Sequence, residues 1–182
     1  TEGVVIPFAS FKSVLDQPLE PGGPTIFQWM QDQYALIRSL AADPDRQRQA
    51  SGQFLERMRS RMARAEPGED FIRSLRAGME KAFGPDGSTG VFLRSDTNVE
   101  DLPGFSGAGL NLTVMNVVGF DRVVEAIRQV WASPFTERAF QWRQSLMEKP
   151  EYVYVSILLL KSVPSEKSGV MVTADVESGR PG

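Results

Sequence analysis

Through the first half of the chain, hydrophobic positions recur every three or four residues. Ile26, Met30, Tyr34, Ile37 and Leu40 draw one stripe, which predicts a helix halted at Asp43-Pro44. A second stripe runs through Phe54, Met58 and Met62, with Arg57, Arg61 and Arg64 on other faces, and ends at Pro67-Gly68. A third, through Ile72, Leu75, Met79 and Phe83, ends at Gly84-Pro85. The methionines in these stripes read as gap-filling core residues. After Gly84 the period changes. PDGSTG is a turn cluster, GVFLRS has the character of a buried strand, and LNLTVMNVV alternates as a second strand after a loop from Asp96 to Gly109. Val123, Ile127, Val130 and Trp131 mark another helix, closed by Ser133-Pro134, where serine suits an N-cap and proline the first residue of the helix that follows. That next helix carries Phe135, Arg138, Ala139, Trp142 and Leu146. YVYVSILLL and SGVMVTAD read as two strands joined by SVPSEK, the first apolar enough to be central. The expected fold is α+β: strands 90–95, 110–117, 153–162 and 169–174 in one mostly antiparallel sheet covered by helices. The chain divides into an opening segment (1–23), a helical segment (24–84) and a sheet-bearing segment (85–182), with no repeat at solenoid spacing.

Composition narrows the chemistry. The 182 residues are 41% hydrophobic and 24% charged, enough to bury a core and too apolar for disorder. A formal charge of −3 offers no global attraction to nucleic acid or anionic lipid. Six arginines between Arg46 and Arg64 are spread around a helix with few aromatics, which reads as a solvated face. The longest apolar stretch, Val153 to Leu160, spans eight residues and is interrupted by Ser156, whereas a bilayer crossing needs about 20. The amino end lacks a secretory signal, so a cytoplasmic location is expected, with neither membrane nor nucleic acid as partner. Cysteine and histidine are both absent. That excludes disulfides, Cys/His zinc sites, thiol nucleophiles, Ser-His-Asp triads and phosphohistidine within this chain, and leaves Arg, Lys, carboxylates, hydroxyls and backbone amides.

The informative segment is RSDTNVEDLPGFSGAG. Arg94, at the end of a buried strand, is followed by Gly104, Gly107 and Gly109, hydroxyls and two carboxylates. Glycines let backbone amides approach an anion closely, and an arginine fork binds phosphate oxygens bidentately. The pattern is that of a phosphate-handling loop, without the GxxxxGK[ST] of a P-loop. An arginine capping a structural turn is the ordinary alternative.

Three blocks in order, LRSDTNVEDLPGFSGAGLNLTVMNV, VWASPFTERAFQWR and VSILLLKSVPSEKSGVMVTADVESG, resemble the ATP-grasp nucleotide-binding domain of phosphoenolpyruvate synthase, pyruvate phosphate dikinase and the glucan water dikinases. The likeness runs from about Gly90 to Gly179, and GVVIPFASFKSVL resembles the segment that opens that domain. The resemblance implies a single partial ATP-grasp domain over 1–182. It implies ATP between two lobes, its β-phosphate passing to a histidine on another domain and then to an acceptor on a third. It places Arg94 at the phosphate-contacting arginine of a VRSS or VRSG motif, and Gly104, Gly107 and Gly109 in the glycine-rich loop over the phosphates. Glu100 and Asp101 match an acidic pair with a loop-stabilising role. Lys161 and Val163 fall on the hinge whose backbone meets adenine, and Thr173 matches a threonine near the phosphates. Trp131 and Arg138 belong to a hallmark block with a packing explanation.

Two departures stand out. Asp96 replaces a small residue, and Lys161 replaces a glutamine; a lysine cannot accept a hydrogen bond, so only a main-chain contact to adenine survives. The family's GGK-type lysine and its magnesium ligands match nothing in this chain, so Mg2+ ligands are expected outside it and the chain alone is expected to be inactive. The implied parent is a dikinase-type phosphotransferase. The alternatives are a glucan water dikinase type, or a nucleotide-binding regulatory module without turnover.

Overall fold

The computed structural model describes residues 2–174 except 86, 100, 103, 104, 107, 108, 164, 168, 170 and 172, with 101, 102, 105 and 106 described as backbone only. Six α-helices and a four-stranded open sheet account for most of them. In chain order the elements are β1 (Gly3–Ile6), α1 (Phe8–Leu15), α2 (Ile26–Ser39), α3 (Pro44–Ala63) and α4 (Glu69–Phe83). They continue with β2 (Val91–Thr97), the short pair β3 (Asp101–Leu102) and β4 (Phe105–Ser106), β5 (Thr113–Val117), α5 (Phe120–Ala132), α6 (Glu137–Leu146) and β6 (Val155–Lys161). The architecture is the mixed α and β arrangement expected, and it is consistent with a partial ATP-grasp domain.

The sheet order is β1-β6-β2-β5, and every neighbouring pair is antiparallel. The apolar run of β6 is central, as its composition predicts. One face of the sheet is packed under helices: α5 lies against β2, β5 and β6, α1 against β6, and α4 against β1. Leu93, Val155, Ile157 and Leu159 are fully buried on that side. The helices follow the stripes that predict them. Ile26, Met30, Tyr34 and Ile37 are the buried line of α2, and Phe54, Met58 and Met62 that of α3. Thr25 and Gln28 close a capping box at the start of α2, and the Asp43 side chain caps α3 with Pro44 in its first turn. Helix α4 stops at Gly84, whose φ of 99° lies in the region where a side chain is strained.

Several boundaries differ from expectation. β1 is too short to carry a periodic signal of its own and exists because the long β6 offers it a pairing edge, Val4 opposite Leu159 and Ile6 opposite Ile157, whereas α1 follows the helical spacing of Phe8, Phe11, Val14 and Leu15 within the stretch expected only as an opening segment. β2 runs to Thr97, so Arg94 sits in mid-strand and the loop begins later than Asp96. The loop itself contains the β3 and β4 ladder, Leu102 opposite Phe105. β5 begins later than expected, at Thr113 opposite Arg94, and a bulge between its Val114 and Val117 interrupts the pairing with β2, where Asn116 takes a φ of 52°. Among the described residues of 169–174 no strand forms; Ala174 alone makes an isolated bridge. Ser133 is not the cap of α6. It opens a 3-10 turn, Ser133–Phe135, and its hydroxyl donates back to the Val130 carbonyl at 2.8 Å, while Thr136 caps α6 by accepting from the Ala139 amide at 3.3 Å.

Of the arginines around α3, Arg48 and Arg57 are solvated. Arg59 donates to the Phe135 carbonyl at 2.8 Å, so the solvated-face reading holds for only part of that helix.

Candidate functional site

Strand alternation sorts the sheet into two faces. Opposite the helices, the uncovered face carries Val5 of β1, Ser156, Leu158 and Leu160 of β6, and Phe92, Arg94 and Asp96 of β2, with Thr113 of β5 beside Arg94. Arg94 is exposed and makes no ion pair or side-chain hydrogen bond with any described residue. A guanidinium with no counter-charge among the described residues and with half-buried Phe92, Leu158 and Leu160 around it is suited to a ligand that joins anionic oxygens to an apolar body. Asp96, two positions along the same face, accepts a 3.2 Å hydrogen bond from the Ser156 hydroxyl of the opposite strand. Its carboxylate is thus held across the ladder rather than against Arg94.

The other expected site residues are spread out. Lys161 pairs with Val91, three positions along β2 from Arg94, which is about 10 Å of strand. Its register places it with Val91 and Leu159, on the opposite parity to Arg94. Val163 and Thr173 are exposed, and Gly109 is exposed with a φ of 79°. No hydrogen bond or ion pair among the described residues joins these four to Arg94. Gly104, Gly107 and Glu100 lie outside the described residues, and Asp101 is described only through its backbone pairing with Ser106. No group of three acidic side chains able to hold a metal ion occurs among the described residues. None of the described helices is long and apolar enough to cross a membrane.

A family model described as pyruvate phosphate dikinase, AMP/ATP-binding domain, matches residues 30–182. The chain belongs to that family. It is 32% identical over 151 residues to a probable phosphoenolpyruvate synthase of Pyrococcus horikoshii, covering 83% of this chain and 18% of the relative. A second probable phosphoenolpyruvate synthase, from Archaeoglobus fulgidus, is 45% identical over 89 residues, 49% of this chain and 12% of the relative. A rifampicin phosphotransferase of a Streptomyces species is 30% identical over 165 residues, 80% of this chain and 18% of the relative. The chain therefore spans between 12% and 18% of the length of these curated relatives.

The pyruvate phosphate dikinase match begins inside α2, after β1 and α1, although β1 completes the sheet at β6. Within the matched range, the block VWASPFTERAFQWR is a packing element. Trp131 is fully buried between Phe11 and Phe71, at ring-centroid distances of 6.2 and 5.8 Å. Arg138 is exposed, whereas Arg143, which the hydrophobic pattern does not single out, is 6% exposed. Arg143 lies against the phenol of Tyr34, which itself stacks among Phe54 and Phe140. Nearby, buried Glu151 meets Arg38 at 3.6 Å.

Burial holds the Tyr34 hydroxyl above its ordinary value of 10.0, outweighing the favourable charge of Arg143. A tyrosine kept neutral by burial contributes stability at pH values below 10.0, and that contribution fades as pH rises through the higher folded-state value. Melts between pH 9 and 11 should therefore show Tyr34→Phe losing less thermal stability with rising pH than the unmodified chain, by roughly the slope of one proton. Parallel slopes would contradict that assignment.

Proposed function

We propose that these residues form the nucleotide-binding part of a dikinase-type phosphotransferase, in which the β-phosphate of ATP ends on a histidine of another domain, AMP leaves, and the γ-phosphoryl group is given up to water or inorganic phosphate. The observation that carries the reading is Arg94, an exposed guanidinium without a partner among the described residues, on the sheet face opposite the helices in a chain of an AMP/ATP-binding family. Its planar fork would neutralise phosphate oxygens. Gly104, Gly107 and Gly109 would bring backbone amides over those phosphates, and Thr173 would stand beside them. Lys161 and Val163 would meet the adenine edge through the main chain, in keeping with the register that turns the Lys161 side chain away from the face of Arg94. Magnesium, when bound, would supply charge neutralisation between the phosphates. The described residues offer it no acidic cluster, so its ligands are expected on the rest of the protein. The parent would be cytoplasmic, where its nucleotide is held.

Relatives named for different products and acceptors share this segment. What they hold in common is the nucleotide half of the reaction, so the acceptor, whether pyruvate, a glucan or an antibiotic, is chosen by domains other than this one. The chain contains no histidine, and a phosphoenzyme must therefore be labelled elsewhere. Incubating the full protein with ATP labelled in its β-phosphate, without acceptor, should yield AMP and an acid-labile, base-stable phosphoprotein. Mapping should place the label on a histidine outside residues 1–182. Formation of ADP with no labelled histidine would overturn the reading.

A further inference from the structure

The β2 to β6 ladder ends at Thr97 opposite Val155, yet its hydrogen bonding continues one step further. The Asn98 amide donates to the Tyr154 carbonyl at 3.3 Å. Asn98 Oδ1 accepts from the Tyr154 amide at 2.7 Å, and Asn98 Nδ2 donates to the Tyr152 carbonyl at 3.0 Å. A planar side-chain amide here takes the place that the next peptide of β2 would fill, so the sheet is completed while the main chain is released from it. Val99 stands outside any strand, and the next pairing is the local one of β3 with β4. Asn98 is thus the point at which the segment leading to Gly109 leaves the sheet, four positions beyond Arg94.

The clamp is anchored on its far side. The Tyr152 ring packs edge-on to Phe27 of α2 at 5.4 Å, and its hydroxyl accepts from Gln31 at 3.3 Å. The exit point is therefore tied to the helical layer as well as to β6. Among ordinary side chains, only a short amide presents donor and acceptor together at this reach. Aspartate would keep the acceptor for Tyr154 and set a carboxylate against the Tyr152 carbonyl. Alanine would keep neither.

We propose that Asn98 is a positioning residue for nucleotide binding: it fixes where the glycine-bearing segment departs from the sheet, and hence how that segment reaches the phosphates held at Arg94. This rests on the ATP-binding reading above. In the full protein, Asn98→Ala should raise KM for ATP by about tenfold to a hundredfold, because misplacing a binding segment by about 1 Å has effects of that size. KM for the acceptor should stay unchanged. A merely structural role would lower kcat in step with the folded fraction and leave both KM values alone. Asn98→Asp, which keeps one of the two side-chain bonds, is measured in the same way should the alanine variant fail to fold. Unchanged KM for ATP in the folded variant overturns the proposal. Arg94→Lys, assayed in parallel, separates the two readings. Turnover lost there but KM unmoved at Asn98 defeats the positioning role alone, whereas full turnover in Arg94→Lys removes the phosphate role of Arg94 and the proposal that rests on it.

Discussion

Arg94→Lys should lower ATP turnover by the full protein about a hundredfold or more, the usual cost of losing one charge-assisted contact to a transition state. The reason is geometric. A guanidinium presents two parallel donors to two phosphate oxygens, whereas an ammonium is a single point charge on a flexible stem and cannot reproduce that fork. The protein should remain folded, because Arg94 is exposed and has no partner among the described residues whose loss would be felt. Surface replacements of that kind stay within about 0.5 kcal/mol. Measuring AMP formation beside the thermal midpoint separates a phosphate contact from a structural one. A drop in turnover with an unchanged midpoint is the expected result, and full turnover would eliminate the phosphate role.

Trp131→Ala should have the opposite signature, with stability lost first and activity only as a consequence. The indole is fully buried where α5 meets α1 and α4, against Phe11 and Phe71, and no small shift of three separate helices can refill its volume. Large aromatic truncations in cores cost about 3–5 kcal/mol, a large fraction of the roughly 5–15 kcal/mol that holds a domain together. For a domain of this size the midpoint should fall on the order of 10 °C. Trp142, in the same block but 42% exposed, provides the comparison. Trp142→Ala should lower the midpoint far less, and equal losses at the two tryptophans would contradict the packing role assigned to Trp131.

Local pattern was sufficient for much of this molecule. The stripes of α4 and α5 end at Gly84 and Ser133, whereas α2 and α3 close a few residues before Asp43 and Pro67-Gly68, of which Asp43 and Gly68 stand at the entrances of the helices that follow. The predominantly apolar character of β6, broken only by Ser156 before its closing Lys161, likewise announced a central strand, since a strand covered by neighbours on both edges and packed on one face tolerates few polar residues. Arg94 and the glycines after it were legible as candidate phosphate ligands from residue type and spacing alone.

What local pattern could not supply was everything settled by partners distant in the chain. β1 is four residues long and becomes a strand only through β6, more than 150 positions away. Whether Ser133 or Thr136 capped α6 depended on a 3-10 turn placing the Ser133 hydroxyl under the Val130 carbonyl. Arg143 carried no signal in the sequence, and its burial beside the Tyr34 phenol of α2 is visible only in the assembled fold. The significance of Asn98 lay in carbonyls and amides at Tyr152 and Tyr154, over fifty residues along the chain. Residue type and near spacing carry helix ends and the chemistry a side chain can perform. Which face of the sheet that side chain stands on, and what lies opposite it, follow from strand register, and register is fixed only when the whole sheet assembles and one face is buried.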